Sequence, residues 1–291
     1  MAYAIGSKPY LIDIHVHGAE KYDTRTRRQD DIIQVASIHG QHGTSALLPT
    51  IYPSSVEVMR ENMAAVRRAM SAQREGATIL GVNLEGPFLN PGRAGALDKN
   101  CFIEPSVEVF ERLVEDFEDI IKIITIAPEL PGALRLIEQS REKGFLVHMG
   151  HSDASFDQAE EGKRAGATGI THLFNAMRGF HHREPGLAGF GIMDEDMYVE
   201  IIADMAHLHW QSLKMIFDMK ELEKIILISD SIKGSGWGSG PIREPGGTLL
   251  GSGIPLADAV INLTTVGIPQ EWAVQFASEN PMKYLNIKTY S

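Results

Sequence analysis

Tyr10–Gly18 reads YLIDIHVHG, an apolar run rich in isoleucine and valine that ends in two histidines, His15 and His17. Side chains alternate along a strand, so residues two apart share a face. The pattern therefore sets two imidazoles side by side at a strand end, which is half of a divalent-metal site. Alone, the same pair reads more readily as surface or cap histidines, because a motif this short has little specificity. The other half must come from elsewhere in the chain.

Outward from this stretch, apolar runs recur: SALLPT (45–50), TILGVNLEG (78–86), IIKIITIAPE (120–129), GFLVHMGHS (144–152), ATGITHLFNA (167–176), YVEIIADMAHLH (198–209) and KIILISDS (224–231). Between most of them lie helical patterns, from Asp30 to about Gly43, after a Ser54/Glu57 capping-box spacing, over 106–117, over 131–144 and over 154–165. Eight strands buried on both faces, alternating with helices, predict an α/β fold, a (β/α)8 TIM-type barrel of the metal-dependent amidohydrolase type. An open doubly wound sheet is the competing architecture. Residues 1–291 read as a single catalytic barrel domain. Two long stretches, 178–191 and 231–253, read as non-helical, and a barrel of this kind uses such loops as substrate loops or lids.

Composition narrows the chemistry. A formal charge of −11 argues against nucleic acid, which calls for a basic face, though not against an anionic small molecule. The single cysteine, Cys101, suits a reducing compartment. With no signal-peptide pattern at the start and no apolar run near the ~18 residues of a membrane span, the expected setting is the cytoplasm.

Barrel active sites gather at the carboxyl ends of the strands. There this sequence places His15 and His17, then Glu85, His151, His172, His207 and Asp230. Imidazoles and carboxylates together suit zinc first, with iron, cobalt or manganese next, rather than magnesium or calcium. His148 reads as a buried supporting group, His39 and His42 as structural, and Asp153 as the N-cap of the next helix.

In order, LIDIHVHG, NLEGPFLNP, APE, MGHSDAS, THLFNAM, REPGLAG, IIADMAH, ISDS and GTLLGS resemble the N-acetylglucosamine-6-phosphate deacetylase family of the amidohydrolase superfamily. ASENPMKYL resembles its last helix, so the likeness runs from about Leu11 to Leu285. The resemblance implies a main metal held by Glu85, His151 and His172. It implies a second held by His15 and His17 with Glu85 and Asp230, and Asp230 as the catalytic proton shuttle. One or two divalent ions fit this set. It further implies that Asn175 and Ala176 face an amino-sugar phosphate, that Arg183 and His207 bind its phosphate from the neighbouring subunit of a homodimer, and that Leu249, Leu250 and Gly251 line the acetyl pocket.

Three departures stand out. Leu97 occupies a position where the family often presents His or Gln to substrate. Asp-Met-Ala-His replaces the more usual glycine after the aspartate. The small β-sandwich domain built from both flanks of the barrel is expected to be largely missing. A cyclic-amide hydrolase, a deaminase and a non-catalytic sugar-phosphate-binding barrel remain alternative readings, because one metal frame serves many substrates.

Overall fold

A computed structural model describes residues 10–234 and 240–287 of the chain. The apolar runs contribute eight main strands to a single parallel sheet, β1 Leu11–Val16, β2 Thr44–Ile51, β3 Val82–Glu85, β4 Ile121–Ile126, β5 Leu146–Met149, β6 Gly169–Ile170, β7 Tyr198–Ile202 and β8 Ile225–Ile228, and the run 78–86 also supplies a short side strand, Thr78–Ile79, paired with β2. They pair in chain order from β1 to β8, and a parallel bridge from Val16 to Ser231 brings the two ends together. The sheet thus curls into a (β/α)8 barrel, not an open sheet.

Around it stand α1 Gln29–Gln41, α2 Val56–Ala72, α3 Val107–Val114, α4 Ala133–Glu142, α5 Phe156–Ala165, α6 Gly186–Met193, α7 Trp210–Met219, α8 Leu256–Thr265, α9 Gln270–Ala277 and α10 Glu279–Tyr284. One apolar layer joins strands to helices. A second, formed by Ile12, Ile14, Leu48, Ile123, Ile202 and Ile226, fills the barrel axis. Tyr284 of α10 closes that axis at the amino ends of the strands, with its ring 4.4 Å from Tyr198 and its hydroxyl 2.8 Å from Thr168 Oγ1. Between the barrel and α9, Phe276 is fully buried and stacks on Phe217. Phe276→Ala is expected to cost about 3–5 kcal/mol, read as a lowered urea midpoint at unchanged slope.

Several local expectations are corrected. The N-cap of α2 is Ser55, one residue later than the Ser54 spacing suggested, with Val58 N–H donating to its hydroxyl. Ser155, not Asp153, caps α5, in a capping box with Gln158. Within 178–191, read as non-helical, Gly186–Met193 is a helix. Its glycines deceive the eye because they serve close packing: a Cβ on Gly191 would meet Ile170 at 3.1 Å. Part of 231–253 forms a short antiparallel hairpin, Ile242–Arg243 against Leu249–Gly251. Gly236 and Gly238 of that stretch lie outside the described residues.

Candidate active site

All six strands expected to end in the site run shorter than their apolar patterns, and the polar tails turn away from the ladder. His151, His172 and Asp230 each stand two residues past the end of their strand, at φ 46°, 29° and 50° respectively. Residues other than glycine rarely adopt the left-handed region, and such strain concentrates where a surrounding structure dictates side-chain direction. Glu85 is the last residue of β3, and the β1 register shifts between Asp13 and Val16. That irregularity matters. Ile12 and Ile14 face the barrel axis, and strict alternation would send His15 the other way.

The six side chains meet. His151 Nε2 and His172 Nε2 lie 3.1 Å apart, at 3.0 and 3.1 Å from Glu85 Oε1. His15 Nε2 and His17 Nε2 are also 3.1 Å apart, and lie 3.7 and 3.4 Å from Asp230 Oδ1. Glu85 spans both halves, with Oε1 3.4 Å from His15 Nε2 and Oε2 3.4 Å from His17 Nε2. All six are buried.

Their outer nitrogens explain why a cation fits. His151 Nδ1 donates to the Arg93 carbonyl (3.0 Å), His172 Nδ1 to the Asn175 carbonyl (3.2 Å), and His15 Nδ1 to Glu200 Oε2 (3.1 Å). An acceptor at Nδ1 fixes the proton there, leaving a lone pair at Nε2. The His151 and His172 lone pairs, facing one another at 3.1 Å, repel unless a cation or a proton lies between them. Glu85 Oε2 is likewise buried without a hydrogen bond. Burial raises the Glu85 carboxyl, but the imidazoles of His17, His151 and His15 outweigh it and hold the group well below the usual carboxylate range. The donor set therefore fits a divalent metal, in two groups: Glu85, His151 and His172; and His15, His17 and Asp230.

A cavity of about 230 Å³ opens over this cluster. Asn175, Ala176, His207, Leu249 and Leu250 line it, as does Leu97. Gly251 does not. It backs the strand end, where a Cβ would come within 2.9 Å of the Asp230 carbonyl oxygen. His207 lines the cavity of its own chain. Asp204 holds its ring, 2.7 Å from Nδ1; burial lowers the imidazole pKa, but the Asp204 bond and charge prevail and raise it. Arg183 is exposed on the loop before α6 and does not line the cavity. His209 caps α7, and His39 is buried against Ser231.

Two supporting groups escaped the reading of the sequence. Glu200 is a fully buried carboxylate in the middle of β7. Its Oε2 takes the His15 proton and the His172 backbone N–H (3.1 Å), and its Oε1 lies 3.3 Å from His148 Nδ1. The one charge inside the apolar run YVEII was the available signal, since an unpaired buried carboxylate is too costly to keep. Glu129 accepts from Asn90, Ser152 and the Asp153 backbone, tying together the loops after β3, β4 and β5. Beside it, Asp153 bridges Arg178 and Arg93; the Arg178 bond outweighs burial and, with Arg93, holds its pKa at about 2.

Residues 8–290 match the amidohydrolase family. An N-acetylglucosamine-6-phosphate deacetylase of Lysinibacillus sphaericus is 31% identical over 294 residues, covering 96% of this chain and 76% of that protein. The chain belongs to the N-acetylglucosamine-6-phosphate deacetylase family. Other deacetylases fit as well. The N-acetylgalactosamine-6-phosphate deacetylase of Escherichia coli O157:H7 is 29% identical, at 96% of this chain and 78% of that one. A point mutant of the Mycobacterium smegmatis deacetylase, solved in complex with N-acetyl-D-glucosamine-6-phosphate, superposes with a TM-score of 0.89 at 28% identity, over 96% of this chain and 77% of that chain. The deacetylase chain is thus a metal-dependent amidohydrolase. No helix among its described residues is long and apolar enough to cross a membrane.

Proposed function

We propose that this chain hydrolyses the acetamido group of N-acetylglucosamine 6-phosphate, releasing acetate and the free amine. The observation that carries the reading is the ring of imidazole Nε2 atoms and carboxylate oxygens, three of the four imidazoles with outer nitrogens held by an acceptor, facing a cavity in a chain of this family.

Glu85, His151 and His172 would hold one ion, and His15, His17 and Asp230 a second. A divalent metal there supplies an acidified water and polarisation of the amide carbonyl. Asp230 takes the proton of the attacking water and returns it to the nitrogen, which leaves as an amine only when protonated. Burial raises the Asp230 carboxyl, but His17 and His15 overcome this and keep it ionised, ready to accept. Asn175 and the Ala176 backbone orient the sugar, and Leu249 and Leu250 enclose the acyl group. Zinc is our first assignment for an imidazole-rich set, ahead of iron, cobalt or manganese. The single cysteine supports a cytoplasmic setting.

His207 reaches the phosphate from its own chain. No lysine or arginine is among the described residues lining the cavity, so the remaining positive charge comes from Arg183 of a second copy, in a homodimer. Its planar fork suits phosphate oxygens. Arg183→Ala is expected to raise KM for the phosphorylated sugar about tenfold or more while leaving an unphosphorylated N-acetyl sugar unaffected. Equal effects on both would remove Arg183 from this role. Mixing that variant with an Asp230 variant should restore turnover if the two residues meet across subunits.

Amine release from N-acetylglucosamine 6-phosphate and from its galactosamine epimer, by protein of measured metal content, tests the whole reading. No release from either overturns it. Faster release from the galactosamine substrate would reassign the sugar.

A further inference from the structure

The cavity over the metal cluster does not end at the acyl side. A second cleft of about 290 Å³ adjoins it and shares four walls, His17, Ala96, Leu97 and Leu250. Tyr52 and Ile232 extend its lining. Direction follows from bond geometry. In the reaction proposed above, the amide carbon lies at the metal cluster. Asn175, Ala176 and His207 mark the side taken by the sugar on nitrogen. The acyl substituent leaves the carbonyl carbon the other way, past His17 and into this second cleft.

The chemistry of the walls agrees. Leu97, Leu250 and Ala96 turn apolar surface toward the passage, and Ile232 continues it. Asp23 and Lys233 also line the cleft, so its apolar stretch is short. An acetyl methyl fills little of such a space. Two or three further methylenes, each close to a water's share of about 30 Å³, fit within it, and each removes more apolar surface from water.

We infer that the site accepts amino-sugar phosphates whose N-acyl chain is longer than acetyl, three to five carbons with an apolar body. This rests on the deacetylase reading and names the acyl class within it. Leu97 acts as a specificity residue, providing an apolar wall where a polar side chain would bind water or a hydroxyl.

The test is a chain-length series, N-acetyl, N-propionyl and N-butyryl glucosamine 6-phosphate, followed as amine release by the metal-loaded enzyme. Butyryl is expected to keep kcat/KM within about tenfold of acetyl. In Ile232→Trp, which fills the cleft, the butyryl-to-acetyl ratio is expected to drop at least tenfold. Calorimetric binding of the butyryl and acetyl compounds to the metal-loaded Asp230→Asn protein gives a readout independent of turnover, and butyryl should bind at least as tightly. A butyryl rate below one-hundredth of the acetyl rate in the unmodified enzyme overturns the inference and leaves deacetylation standing. Failure of every compound, acetyl included, overturns both. If Ile232→Trp does not fold, the series on the unmodified enzyme decides alone.

Discussion

Asp230→Asn should retain its metal and lose turnover by about 10²–10⁴-fold, the range that a positioned general acid–base supplies. Asparagine is nearly isosteric and keeps one carbonyl oxygen beside His15 and His17, where the Asp230 carboxylate now lies within 3.7 Å of both. Geometry is therefore conserved while basicity disappears. The loss should fall on kcat, with KM little changed, because proton transfer occurs on the way to the transition state. Metal analysis of the same sample separates this from simple loss of the ion. A variant with full metal and near-normal turnover would remove Asp230 from the proton-transfer role.

Replacing Glu200 should be the next most damaging change, although it does not face the cavity. One of its oxygens takes both the His15 ring proton and the His172 backbone N–H. Glu200→Leu strands both donors in a buried setting at about 1–3 kcal/mol each, and frees His15 to change tautomer. Metal affinity should fall about 10–100-fold, as for other groups that orient a ligand from behind. Glu200→Gln offers an oxygen for both donors and lacks only the charge, so it should lie between Leu and the unmodified protein. Chelator competition gives the affinities and thermal unfolding the stability. Leu and Gln variants of equal affinity would show that Glu200 does not position His15.

Why some of this was legible in advance follows from the same residues. The barrel strands pack against helices on one side and the filled axis on the other, so each shows as a mostly apolar run, from LIDI to IILI. Their histidines and carboxylates stood out because nothing in a core otherwise keeps them. Strand ends were read too long because His151, His172 and Asp230 leave the ladder through left-handed turns that have no signature in hydropathy. The α6 helix was hidden by glycines chosen for close packing. Glu200 was passed over because periodicity reports burial and says nothing of partners. Arg183 is legible only through the family resemblance, since its proposed role depends on a second copy and no local pattern marks it.

Tyr284 has a consequence for the order of events during synthesis. The strand that carries His15 and His17 emerges from the ribosome before its partner β8, to which Ser229, Asp230 and Ser231 join it, and the barrel axis is stoppered by a ring near the far end of the described chain. Domains fold as units once their contacts are available. The barrel bore thus stays open to water until α10 has cleared the exit tunnel. Chaperone dependence should track the position of that helix, and metal should be acquired only after its release.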